Sequence, residues 1–127
     1  MKKQVTTSHS PAAIGPYSQG IVSTESKTIY VSGQLPINPE TGTIPEDVAA
    51  QTRQVLQNLK AILEEAGSTM SDVLKATVYM IDMNEFAKMN EVYAEFFTEP
   101  FPARATVEVT RLAKDALVEI DAIALSR

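Results

Sequence analysis

Residues Val73 to Asp82 run VLKATVYMID, a strand-length stretch that is mostly apolar on both sides of its two-residue alternation. Leu74, Ala76, Val78 and Met80 alternate with Thr77, Tyr79 and Ile81. A strand of this kind needs cover on both faces, and the rest of the chain shows what is available to provide it.

Two amphipathic helices are expected. Between Glu46 and Ala66, the residues Val48, Thr52, Val55, Leu56, Leu59, Ile62, Leu63 and Ala66 recur at steps of three and four. Arg53, Gln57, Lys60 and Glu64 take the opposite side. Pro45 and Glu46 suit the first turn of this helix, and Gly67 suits its end. A second helix over Asn84–Phe97 carries an inward stripe of Phe86, Met89, Asn90, Tyr93, Phe96 and Phe97. Residues 17–33, YSQGIVSTESKTIYVSG, read as a hairpin turning at STESK. Residues 35–46 hold three prolines and a glycine, and read as loop. From Phe101 to Leu125 two β-branched stretches flank the polar segment TRLAKDA, the pattern of two paired strands.

The order hairpin, helix, strand, helix, strand, strand is an α+β pattern. It predicts one domain over residues 1–127, with a mixed sheet and both helices on a single face. Two helices leave the second sheet face uncovered, and an apolar patch of that size meets a partner. A homo-oligomer follows as the expectation.

Composition removes several chemistries. The chain has no cysteine, so it can hold neither a disulfide nor a thiol nucleophile. His9 is the only histidine, whereas a catalytic zinc normally takes several nitrogen or sulfur ligands; no metal site is expected. A net charge of −5 argues against nucleic-acid binding. The start MKKQVTTSHS lacks the apolar region of a signal peptide, and no apolar stretch approaches membrane-spanning length, so a cytoplasmic protein is expected. The sequence contains no GxGxxG, P-loop or GxSxG motif.

Arg104 stands out as a full positive charge in an apolar strand. Alternation puts it on one strand face with Thr106 and Glu108. An arginine there calls for an anion: either a carboxylate of the protein (Glu108, Glu119 or Asp121) or a ligand held through two parallel hydrogen bonds. Glu119 and Asp121 lie on the polar side of the last strand. Glu119 is either a solvated strand carboxylate or a group that orients or deprotonates a water. Asn90, an amide in an apolar helix stripe, bonds either a ligand or a neighbouring loop. Tyr17, after the Gly15–Pro16 bend of AIGPYSQG, could wall a pocket. Ser32 and Gly33, at the strand end VSGQ, could present backbone N–H groups to an anion.

Together, the segments AIGPYSQG, VSGQ, NLKAILEEAG, VLKATVYMIDM, NEVYAEFF, PAR with VEV, and RLAKDALVEIDAIAL resemble the Rid family of reactive-intermediate deaminases, also called the YjgF family, in its RidA-like subgroup. They span almost the whole chain in the family's order. The resemblance implies a chorismate-mutase-like α+β fold assembled as a homotrimer, with ligand clefts between subunits and no cofactor. It puts the carboxylate-binding arginine at Arg104 and the catalytic glutamate at Glu119, and it puts Tyr17, Ser32, Gly33, Asn90 and Thr106 around the substrate. Many members carry a cysteine where this chain has Thr106. The resemblance implies that this position contributes largely through its backbone, so deamination should survive the exchange.

The implied reaction is hydrolysis of small 2-imino acids or their enamine tautomers, such as 2-aminoacrylate, 2-iminopropanoate and 2-iminobutanoate, to 2-keto acids and ammonia. Three alternatives stand beside it: a non-enzymatic trimer that binds small carboxylates, the ribonuclease or translation-inhibitor activity of some relatives, and a specialised relative in pyrimidine or aromatic catabolism.

Overall fold

A computed structural model describes the whole chain, Met1 to Arg127. In chain order it forms strands β1 (Lys2–Val5), β2 (Gly20–Ser23) and β3 (Thr28–Gln34), then helix α1 (Val48–Glu65) and strand β4 (Val73–Met80). Helix α2 (Phe86–Phe96) and strands β5 (Ala103–Glu108) and β6 (Val118–Leu125) complete it. The six strands make one mixed sheet in the order β1-β2-β3-β6-β4-β5, with β4 and β5 parallel and every other neighbouring pair antiparallel.

Both helices pack on one face, as the pattern predicts. Val55, Leu56, Leu59, Ile62 and Leu63 of α1 and Met89 and Tyr93 of α2 meet Ile29, Val31, Ala76, Val78, Met80, Val118, Ile120, Ala122 and Ala124 in a single core. The ends of α1 are set locally. Asp47 caps the start, its carboxylate accepting from the Ala50 N–H at 2.8 Å, so Pro45 and Glu46 precede the helix instead of forming its first turn. At the other end Gly67 adopts a positive φ of 80°. Its N–H donates to the Glu64 carbonyl and that of Ser68 to the Leu63 carbonyl, a Schellman termination.

Two further expectations are corrected, and one strand is added. The stretches around TRLAKDA are not paired with each other, because β4 lies between β5 and β6. Helix α2 carries the chain over from β4 to a parallel β5, and the segment after β5 returns it to the middle of the sheet. A hairpin signal is local and cannot register a third strand arriving from earlier in the chain. Leu74 is not a core residue: an irregularity between Val73 and Lys75 turns it outward, and Val73 is buried instead. Residues 2–5 form an edge strand that the sequence pattern did not single out, since only Val5 of the four is buried.

The other sheet face carries no helix. Tyr30 and Val107 are 50% and 40% exposed on it, beside the partly buried Thr77, Tyr79, Glu119, Asp121 and Ile123.

Candidate functional site

Strand register decides which side each polar residue takes. Arg104 pairs with Ala76 of β4, and Ala76 is buried against the helices, so Arg104 points toward α2. There its Nη1 donates to Asn90 Oδ1 at 2.7 Å. Its guanidinium carbon lies 4.6 Å from the centroid of the Tyr93 ring and 5.4 Å from that of Phe86. Glu108, Glu119 and Asp121 form no ion pair with it. Arg104 is also exposed in the single chain, not walled in apolar surroundings. It borders a cleft of about 400 Å³ lined by Asn90, Tyr93, Ala94, Phe101 and Pro102. The cation therefore has an amide and aromatic rings around it, and nothing that cancels its charge.

Thr106 follows on the same strand face, paired with the buried Val78. Its hydroxyl is buried and has no hydrogen-bond partner, and the same holds for the Tyr93 hydroxyl. Asn90 sits at the margin of the α2 stripe. The buried positions there are Met89, Val92 and Tyr93, so the amide is placed to meet the arginine and not the core.

Glu119 takes the opposite side. It pairs with Tyr79 of β4, whose hydroxyl donates to Asp121 at 2.9 Å on the face without helices. Burial raises the Glu119 carboxyl above the ordinary carboxylate range, and the neighbouring Asp121 charge adds to the rise. Gly33 lies against it: a Cβ at this position would overlap Glu119 Oε2. Only a residue without a side chain lets this carboxylate occupy its position.

Tyr17 is 53% exposed, on the loop that precedes β2. The loop is fixed from below. Buried Gln19 donates to the carbonyls of Thr7 and Pro11 at 3.1 and 2.7 Å and accepts from the Thr7 N–H at 2.7 Å. Ser32 holds its other side: its N–H donates to the Gln19 carbonyl at 2.9 Å and its hydroxyl to the Ser18 carbonyl. Ser32 thus uses both of its donors to tie the Tyr17 loop to the end of β3.

The structure divides the sequence-derived residues into two groups. Arg104, Asn90 and Thr106 lie on the helix side of the edge strand β5. Gly33 and Glu119 meet across β3 and β6, with Ser32 and Tyr17 beside Gly33 in the chain or through the anchored loop. A single chain does not bring Arg104 and Glu119 to one point. The sequence reading did not identify Tyr93 and Phe86 as neighbours of Arg104. Their spacing from Asn90, Phe86 four residues before it and Tyr93 three after, was the available signal.

Comparison with known proteins covers nearly the whole chain. Residues 7–126 match the family described as Endoribonuclease L-PSP. A RutC family protein of Pyrococcus horikoshii is 57% identical over 125 residues, with 98% of each chain covered. The 2-iminobutanoate/2-iminopropanoate deaminase of Escherichia coli K12 is 52% identical over 130 residues, with both chains covered completely. Among solved structures, Escherichia coli TdcF with bound serine superposes with a TM-score of 0.91 at 47% identity, covering 98% of this chain and 99% of its own.

Proposed function

We propose that this chain, which belongs to the Rid (YjgF) family described as Endoribonuclease L-PSP, is a deaminase that hydrolyses small 2-imino acids to 2-keto acids and ammonia. The observation that carries the reading is an uncompensated Arg104 beside an open cleft, in a chain 52% identical over its full length to a 2-iminobutanoate/2-iminopropanoate deaminase. A planar guanidinium matches a carboxylate through two parallel hydrogen bonds, and every substrate of this class carries one.

The chemistry asks little more of the protein. A protonated imine carbon is already electrophilic, so the reaction needs a held carboxylate, a placed water and a group to take that water's proton. Arg104 provides the hold, with Asn90 against it and Thr106 behind. Glu119 orients or deprotonates the water; water adds to the imine carbon, and the carbinolamine expels ammonia to leave the keto acid. Its raised proton affinity brings Glu119 closer to the operating pH, where a general base is most effective. Tyr17 walls the cleft, and Ser32 and Gly33 shape its floor.

Because Arg104 and Glu119 lie on opposite sides of one sheet, the working site takes one group from each of two copies. The uncovered sheet face supplies the surface for that assembly, and a homotrimer with a cleft at each interface satisfies both requirements. The deciding experiment couples a pyridoxal-phosphate threonine dehydratase to the purified protein, with semicarbazide trapping residual imine. Faster keto-acid release and less semicarbazone are expected; trapping that is unchanged by added protein would overturn the assignment. The net charge of −5 weighs against reading the family's nuclease description as an activity on RNA.

Gly33→Ala tests the second half of the site. The new methyl forces the Glu119 carboxylate aside while the flexible glutamate stem absorbs the clash. Turnover should fall about tenfold or more, with the circular dichroism spectrum unchanged; wild-type turnover would separate Glu119 from the chemistry.

A further inference from the structure

Phe86, Asn90 and Tyr93 occupy positions i, i+4 and i+7 of α2, the spacing that places side chains on one helical face. All three meet the Arg104 guanidinium: the amide along one N–H at 2.7 Å, and the two rings at 4.6 and 5.4 Å from its central carbon. Arg104 itself springs from an edge strand and is exposed, conditions in which a long side chain ordinarily samples many rotamers. An aromatic face attracts a cation without neutralising it. A carboxylate partner would hold the arginine equally well, but it would compete with any ligand carboxylate.

We infer that Tyr93, supported by Phe86, is a positioning residue: its ring fixes the plane of the Arg104 guanidinium so that the cation meets the ligand carboxylate already oriented. This inference rests on the proposed role of Arg104. The ring, not the hydroxyl, does the positioning. The Tyr93 hydroxyl is buried without a hydrogen-bond partner, while the residue as a whole is buried and lines the cleft. Removing a hydroxyl that makes no bond leaves the cradle intact, whereas replacing the ring with an aliphatic side chain abolishes it.

The test compares wild type, Tyr93→Phe, Tyr93→Leu and Arg104→Ala, each with its oligomer and thermal midpoint checked. Arginine Nε–H resonances are read by nitrogen-15 NMR, and 2-oxobutanoate binding by calorimetry. Arg104 is one of four arginines, so its resonance is the one missing from Arg104→Ala. That resonance should show a ring-current shift in wild type and in Tyr93→Phe, and lose it in Tyr93→Leu. Binding should stay within about twofold of wild type for Tyr93→Phe and weaken roughly 3- to 30-fold for Tyr93→Leu. In turnover, the leucine variant should raise KM more than it lowers kcat.

Wild-type binding by Tyr93→Leu overturns the inference, as does equal weakening in the phenylalanine and leucine variants. Wild-type binding by Arg104→Ala instead overturns the carboxylate-clamp reading, and the cradle's purpose with it. Should Tyr93→Leu not fold, Phe86→Leu carries the same comparison, since Phe86 is only partly buried.

Discussion

Arg104→Ala should lower imine hydrolysis at least tenfold, and on the order of a hundredfold, while leaving the chain folded. The size follows from a charge-assisted hydrogen bond worth roughly 1.5–3 kcal/mol, doubled where two are made in parallel and reduced where solvent can substitute. Survival of the fold follows from position. Arg104 is exposed at a sheet edge, makes no ion pair and contributes no atom to the core. The coupled dehydratase assay measures the loss, and an unchanged thermal midpoint shows that it is local. Full activity in this variant would remove the carboxylate clamp from the mechanism. An activity loss accompanied by a collapsed thermal midpoint would show that the arginine is structural.

Glu119→Gln should cost more, roughly 10²- to 10⁴-fold in kcat, if the carboxylate takes the water's proton. Two further readouts distinguish a base from a passive wall. Burial first and the Asp121 charge second hold the Glu119 carboxyl above the ordinary carboxylate range. Wild-type kcat/KM should therefore rise with pH along a limb displaced upward from that of a free glutamate, and the glutamine variant should lack the limb. The stability consequence has the opposite sign. A carboxyl with a raised folded-state pKa stabilises the fold below its unfolded value of about 4.3 and loses that contribution as pH rises through the folded value. As pH rises through that value Glu119 thus becomes a burden on the fold. Glu119→Gln should melt higher than wild type at pH 7 and with little difference near pH 4. An inactive variant that melts lower at pH 7 would mean that the carboxylate makes bonds the fold needs.

Much of the architecture was legible because it rests on periodicity. The buried positions of α1 fall on the three- and four-residue steps of its sequence, and Gly67 ends the helix where a residue without a Cβ is favoured. Both helices on one sheet face follow from two apolar stripes facing one alternating strand. Strand neighbours were less legible. β5 and β6 look like partners because they are close in sequence, and no local residue reports that β4 separates them. β1 escaped notice since three of its four residues are exposed and polar.

The site shows the same division. Residue types and family resemblance point to Arg104 and Glu119, and strand alternation places each within its own strand. The relation between their two sides depends on the pairing of β4 with both neighbours, which is a tertiary fact. Asn90 could be seen as an amide in an apolar stripe, but its partner could not. The bond from Asn90 to Arg104 spans 14 residues and depends on how α2 lies along β5. Ser32 illustrates the converse. Its place in VSGQ suggested a donor for a ligand, whereas its N–H and hydroxyl hold the Tyr17 loop.

The separation of Arg104 and Glu119 across one sheet has a consequence for inheritance. If each cleft draws its arginine from one copy and its glutamate from a neighbour, two chains that are separately dead can repair one another. A chain lacking only the arginine still offers its glutamate, and a chain lacking only the glutamate still offers its arginine. Where the two meet in the right order, one cleft becomes whole. Two defective alleles in the same cell would then restore part of the function that neither supplies alone, and a chain carrying both defects would poison every cleft it joins.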